Sequence, residues 1–318
     1  MRLKHLLFSA LIALGVSVLG AQQTPPPTAA PAAVQQPARP AIEISPPAEM
    51  GSVRFAIIGD SGTGDKRQYE VGAQMAKALQ IFPFEFVIML GDNIYGRERP
   101  QDFVKKFEVP YADILNRNIP FYASLGNHDD PEKQVAYELF NMHGRRYYTF
   151  TRGDARFFAL DSNELDEPQL KWLEDELSRA SERWKIAFFH HPIYSSGARH
   201  GSNMKLRARL EPLFVKYGVD AVFAGHEHFY ERLVPQNGIY YFTQGGSAKL
   251  RRGNIRDNSP LTASGFDTDN VFMVAELGRE TMYFQVVSRL GKRVDSGSLP
   301  LPAEPGTGAD KPVSSDGH

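Results

Sequence analysis

Phe86-Val87-Ile88-Met89-Leu90-Gly91-Asp92-Asn93-Ile94-Tyr95 holds the pattern from which the rest of the chain can be read. A short continuous apolar run closed by a glycine reads as a strand buried on both faces. The run stops at Gly91 and delivers an acid into the loop. The arrangement recurs. Phe55-Ala56-Ile57-Ile58 leads to Gly59-Asp60, Phe121-Tyr122-Ala123-Ser124 leads towards Gly126-Asn127-His128-Asp129, and Val222-Phe223-Ala224 leads to Gly225-His226-Glu227-His228. A further run, Ile186-Ala187-Phe188-Phe189, ends in His190-His191-Pro192 without the glycine. In open α/β sheets, ligands collect at the carboxyl ends of strands. These loops are therefore expected to build one polar cluster.

Outward from these runs, strands and helices alternate. Between about Gln68 and Gln80, Val71, Met75 and Leu79 share one helical face, which makes Met75 core filler and no ligand. Helices are also expected from about Glu167 to Ala180 (Leu170, Leu173, Leu177) and from about Leu206 to Tyr217 (Leu206, Leu210, Leu213, Phe214, Tyr217). Tyr147 to Phe150 and Arg156 to Leu160 read as a strand pair turned at Gly153-Asp154. Short strands follow the histidine loop, at Tyr240 to Thr243, Val271 to Leu277 and Met282 to Val287. The fold class is α/β: two mixed sheets packed face to face and flanked by helices, a four-layer α/β/β/α sandwich.

The chain has 318 residues, 42% of them hydrophobic, enough for one large domain with a full core. Its formal charge of −1 and the absence of a basic stripe give no nucleic-acid surface. With no cysteine, disulfides, thiol catalysis and zinc–thiolate sites are excluded. Arg2, Lys4 and His5 precede an apolar run from Leu6 to Leu19 and small residues at Gly20-Ala21, the layout of a secretory signal peptide (1–20). The run is shorter than the ~20 residues of a bilayer span, so no stable membrane span is expected once the signal is cleaved, and the protein is expected to be exported, periplasmic or secreted. Residues 21–50 are rich in Pro, Ala and Gln and read as a disordered tether, as does the tail, 300–318. The folded domain is expected over 51–299.

Five of the nine histidines, His128, His190, His191, His226 and His228, sit in the strand-end loops. They alternate with Asp60, Asp92 and Asn127. Acids and imidazoles crowded into one cleft need a compensating cation. Carboxylate, amide and imidazole donors suit borderline to hard ions, and there are too many for one tetrahedral zinc. Two ions sharing a bridging group are expected. Such a pair activates water and stabilises the entering and leaving oxygens of a displacement at phosphorus, which points to hydrolysis of a small phosphoester.

In order and rough spacing, Gly59-Asp60-Ser61-Gly62, Gly91-Asp92-Asn93-Ile94-Tyr95, Gly126-Asn127-His128-Asp129, Ala187-Phe188-Phe189-His190 and Gly225-His226-Glu227-His228 resemble the five motif blocks of calcineurin-like metallophosphoesterases. More narrowly, the chain resembles short, single-domain purple acid phosphatases. Most of the superfamily has Asp-x-His in the first block, whereas here Gly62 stands in place of that His and Tyr95 follows Asp92 by three. The resemblance implies Fe(III) at Asp60, Tyr95 and His228, with Asp92 bridging to a divalent ion (Fe, Zn or Mn) at Asn127, His190 and His226. It implies that His128 donates a proton to the leaving alkoxide, and that His200, in the loop Ser195 to Ser202, contacts phosphate. His191, next to His190, is taken as a second substrate contact. Asp129 and Asp130 either orient His128 or cap a helix before Pro131, and Asp161 is read as structural. Lys249, Arg251, Arg252 and Arg256 are read as a solvated basic loop in preference to a lure for anionic substrates. The activity implied is phosphomonoester hydrolysis, with a phosphodiesterase and a non-catalytic phosphate-binding protein as the alternatives.

Overall fold

The computed structural model describes Ile42, Ile44, Ser45, Pro47 and residues 49–301. All lie in the unit that begins at Pro40. The expected signal peptide, most of the expected tether and nearly all of the tail lie outside the described residues. Ile42 and Ile44, inside the stretch expected as tether, are half-buried against the core, and Ser45 N donates to Gln285 Oε1 at 3.1 Å. Contacts with the folded body thus reach back before residue 51.

The strands are β1 (Val53–Ile58), β2 (Phe86–Leu90), β3 (Phe121–Ser124), β4 (Tyr148–Arg152), β5 (Ala155–Ala159), β6 (Trp184–Phe189), β7 (Ala221–Ala224), β8 (Tyr230–Leu233), β9 (Tyr240–Gln244), β10 (Thr262–Phe266), β11 (Val271–Leu277), β12 (Thr281–Ser288) and β13 (Arg293–Pro300). The helices are α1 (Lys66–Ile81), α2 (Pro100–Phe103), α3 (Ala112–Leu115), α4 (Pro131–Ala136), α5 (Glu167–Arg179) and α6 (Met204–Tyr217). One sheet runs β13-β12-β11-β1-β2-β3, with β1, β2 and β3 parallel and the rest antiparallel. The other runs β10-β8-β9-β7-β6-β5-β4, with β5, β6, β7 and β9 parallel. Both sheets are mixed, as the sequence pattern predicts.

Strand periodicity sorts side chains between the layers. On β5 and β6, Phe157, Ile186 and Phe188 join the core between the sheets, while Phe158, Ala187 and Phe189 join the core under α5 and α6. Across the sandwich, Phe157 meets Phe55 and Phe86 edge-on at centroid distances of 5.3 and 5.2 Å. Beyond area burial, such pairs contribute roughly 0.5–1.5 kcal/mol each. Truncating Phe157 to Ala would cost about 3–5 kcal/mol.

Helix ends follow local chemistry. The Asp65 carboxylate accepts from the N–H groups of Arg67 and Gln68 to start α1, Asp166 caps α5, and Asn203 caps α6. α6 stops where Gly218 turns left-handed at φ +65°. The expected apolar stripes are the buried ones: Val71, Met75 and Leu79 on α1, Leu173 and Leu177 on α5, Leu206, Leu210 and Phe214 on α6. Among the described residues no helix is long and apolar enough to cross a membrane.

Candidate metal centre

The loops leaving β1, β2, β3, β6 and β7 meet at one edge of the sandwich. Three of the turns are held in the left-handed region by residues other than glycine: Asp60 at φ +53°, Asp92 at +52° and His226 at +67°. Each such residue costs on the order of 1 kcal/mol and persists only where its surroundings fix it. Here the fixing bonds are visible. His226 N donates to Asp60 Oδ2 at 2.7 Å, and His128 N donates to Asp92 Oδ1 at 3.0 Å.

Two groups of donor atoms result. In the first, Asp60, Asp92 and His228 offer atoms within 4.8 Å of one another. Tyr95 Oη donates to Asp60 Oδ1 at 3.0 Å and lies 3.4 Å from His228 Nε2. The phenol arrives there because Gly62 has no side chain: a Cβ on Gly62 would stand 1.9 Å from Asn93 O. Gly62 O then accepts Tyr95 N–H at 2.8 Å. A histidine at position 62 could not share this space with the Asn93-Ile94 backbone, so the two departures from the Asp-x-His pattern are one packing event.

In the second group, His190, His191 and His226 offer nitrogens within 4.8 Å of one another. His190 Nδ1 donates to Leu90 O at 2.8 Å, which fixes that nitrogen as the protonated one and turns the Nε2 lone pair into the cluster. That lone pair faces Asn127 Oδ1 at 3.0 Å, His226 Nδ1 at 3.1 Å and Asp92 Oδ1 at 3.5 Å. Acceptors aimed at acceptors need a proton or a cation between them.

The electrostatics disfavour the proton. Burial, then the neighbouring imidazoles, pushes His226 down to about 2. Burial and Arg251 push His228 down to about 4. Burial and His190 push His191 down to about 3. His191, His226 and His228 are therefore held towards their neutral forms. Asp60 is pushed well above the ordinary carboxylate range, by burial first and against the pull of His190. Burial also pushes Asp92 up, yet His190 and the His128 N–H outweigh it and hold Asp92 below its ordinary value. Tyr95 is raised by burial and by the charges of Asp60 and Asp92. A positive ion among these groups would favour the ionised forms of Asp60, Asp92 and Tyr95 and suit neutral imidazoles, so the residues fit a metal centre.

The calcineurin-like phosphoesterase family model matches residues 53–230, more than half of the chain. The chain belongs to that family. Tartrate-resistant acid phosphatase type 5 of Rattus norvegicus is 28% identical over 306 residues, covering 81% of this chain and 93% of its own length. Purple acid phosphatase 4 of Arabidopsis thaliana is 28% identical over 268 residues, covering 73% and 79%. Among solved structures, a purple acid phosphatase from yellow lupin seeds superposes with a TM-score of 0.65 at 20% identity, covering 78% of this chain and 54% of its own. GAP50 of Plasmodium, described as the anchor in the inner membrane complex, superposes at 0.69 and 23% identity, covering 80% and 90%. These two structures show the fold alone.

Around the phosphoesterase centre, the other expected residues fall as follows. His128 is exposed at the rim, its ring 5.0 Å from that of Tyr95. His191 stands with His190 and His226, its Nδ1 2.9 Å from Ser162 Oγ. His200 is exposed, its ring 4.3 Å from that of His226. Asp130 is the α4 cap, accepting from Lys133 N–H. Asp129 ties the loops after β2 and β3 together, accepting from Gly126 N at 2.8 Å, Ile94 N at 3.1 Å and Gln134 Nε2 at 2.7 Å. Asp161 is buried and ion-paired with Arg146 at 2.6 Å.

The basic loop is only partly as expected. Arg252 and Arg256 are exposed, but Lys249 Nζ sits 4.5 Å from the Tyr95 ring centroid and Arg251 Nη2 lies 3.5 Å from His228 Nδ1. The reason is a backbone bond that composition does not reveal: Lys249 N donates to Asp60 O at 3.3 Å, which brings the loop onto the cluster. Sequence reasoning left Ser162 and Glu227 without a role and placed Lys249 and Arg251 in a solvated loop. Of the first two, only Glu227 was marked, by its position inside Gly-His-Glu-His.

Proposed function

We propose that this chain is an exported, purple-acid-phosphatase-like phosphomonoesterase. The reading rests on Tyr95 Oη, 3.0 Å from Asp60 Oδ1 and 3.4 Å from His228 Nε2. A phenolate is a hard anionic donor that suits a trivalent iron, and the relatives are acid phosphatases, one of them named a purple acid phosphatase. Asp60, Tyr95 and His228 would hold Fe(III), and Asn127, His190 and His226 a divalent ion such as Fe, Zn or Mn, with Asp92 shared between them. Such a pair, when bound, supplies the Lewis acidity that activates water and neutralises phosphate charge.

The chain's own residues do the rest. His128 is held by its backbone N–H on Asp92 and presents its ring beside a cleft of about 470 Å³ lined by Gly96 to Arg99, Asn127 to Asp130 and Lys133. From there it would donate a proton to the departing alcohol. His200 and His191 flank His226, their rings 4.3 and 4.5 Å from its ring, and would contact the phosphate from that side. Export is supported by the basic head and apolar run of residues 1–20.

The test is turnover by the purified, metal-replete protein of p-nitrophenyl phosphate against its bis-ester. Faster hydrolysis of the monoester supports the proposal. Preference for the diester makes the protein a phosphodiesterase. Turnover of neither contradicts catalysis and favours a binding role.

A further inference from the structure

Glu227 lies between His226 and His228 and is fully buried. A buried carboxylate is costly unless its oxygens are satisfied. Glu227 is satisfied from two other loops. Oε1 accepts the backbone N–H groups of His200 at 3.0 Å and Gly201 at 2.7 Å. Oε2 accepts Asn254 Nδ2 at 2.7 Å and lies 3.6 Å from Arg251 Nη1. The space for the carboxylate is left by Gly197, where a Cβ would come within 2.1 Å of Oε1.

These bonds close a circuit. Asn254 Oδ1 accepts Arg199 N at 3.1 Å, Asn254 O accepts Ala198 N at 2.7 Å, and Arg251 N donates to His228 O at 2.9 Å. The His200 ring itself has no hydrogen bond among the described residues. Its place, 4.3 Å from the His226 ring, is therefore set through its backbone, and Glu227 holds that backbone.

We propose that Glu227 is a positioning residue for substrate: its carboxylate locks the His200 loop to the His226–His228 turn, so that His200 meets the phosphate at a fixed place. This rests on the phosphatase reading above. The hydrogen bonds to the carboxylate come from His200, Gly201 and Asn254, none of them a donor of the cluster, while Arg251 at 3.6 Å also reaches His228, so metal content is read beside KM to separate this role from support of the metal ligands.

The experiment uses the full, metal-loaded protein. Glu227→Gln keeps the volume but sets an NH2 group against an N–H or NH2 donor. KM for p-nitrophenyl phosphate, and the dissociation constant of inorganic phosphate by calorimetry, should rise roughly 10-fold, as expected for one charged hydrogen-bond set lost. The loss should fall on KM rather than kcat, with metal content retained. In a His200→Ala background the same substitution should add nothing further. Gly197→Ala, which crowds the carboxylate from the other side, should reproduce the KM effect and serves if Glu227→Gln does not fold. An equal loss with and without His200, a loss confined to kcat, or release of metal overturns the proposal. Wild-type protein that binds phosphate without turnover refutes the phosphatase reading while the calorimetric comparison still decides the role of Glu227. Wild-type protein that binds no phosphate overturns both.

Discussion

Gly62 and Tyr95 are joined by a backbone bond, Tyr95 N to Gly62 O at 2.8 Å, and the missing side chain of the first is what admits the second. The loops after β1 and β2 thereby close on each other, and the phenol reaches Asp60 and His228. One small residue thus decides which side chain completes the first group of donor atoms.

Gly62→Ala is expected to be far more harmful than an ordinary added methyl. The new Cβ would meet Asn93 O and C at 1.9 and 2.2 Å, backbone atoms that cannot turn aside. Overpacking of this kind costs typically 1–3 kcal/mol or more. Thermal unfolding should show a lower Tm and metal analysis a loss of iron. Unchanged values of both would show that the loop has other room.

Tyr95→Phe deletes the hydroxyl while keeping the ring, and leaves Asp60 Oδ1 without its 3.0 Å donor. Loss of the visible charge-transfer band and roughly 10-fold or greater weakening of iron binding are expected. An absorption spectrum of the iron-loaded variant reads the outcome. A retained band would place the phenolate elsewhere.

His128→Ala should slow esters with poor leaving groups by about 10² to 10⁴ and spare activated ones, because only the former need a proton on the departing oxygen. Rates across a series of aryl and alkyl phosphates give a steeper dependence on leaving-group pKa for the variant. Equal losses across the series would remove His128 from the acid role.

Asp220 gives the fold a pH dependence of its own. Burial pushes its carboxyl up to about 7, against the Lys185 N–H that it accepts at 2.7 Å. The folded value exceeds the unfolded one, so the stabilising contribution is complete below the unfolded value of about 3.9 and is lost as pH rises through about 7. Asp220→Asn, neutral at every pH, should raise stability at pH 8 on the order of 2 kcal/mol and much less at pH 4. Urea denaturation of both proteins at the two pH values measures it. A gain independent of pH would contradict the assignment.

What the sequence revealed, and what it did not, follows from where information is stored. The buried runs ending at Asp60, Asp92, Asn127, His190 and His226 announce themselves because a strand covered on both faces must be apolar throughout. β10 (Thr262–Phe266) and β13 (Arg293–Pro300) are edge strands with half-exposed, polar or small residues, held by ladder bonds that composition does not encode. β8 hides for a different reason. Its Glu231 is buried but satisfied by Ser195, Ser196 and Thr262, so a strand of the interior looks like a charged loop. Lys249 and Arg251 were legible as charges, and their nearness to Tyr95 and His228 came only with the bond from Lys249 N to Asp60 O. His191 shows the same limit. Adjacent histidines at a strand end are visible in sequence, while the Ser162 contact that orients the second one is a long-range event.

The most direct test of the account is the metal content of the purified chain after loading with iron and zinc. About two ions per chain are predicted, one of them iron and lost in Tyr95→Phe. A chain that binds one ion or none, or that keeps its iron without the phenol, would contradict the binuclear centre on which the proposed chemistry depends.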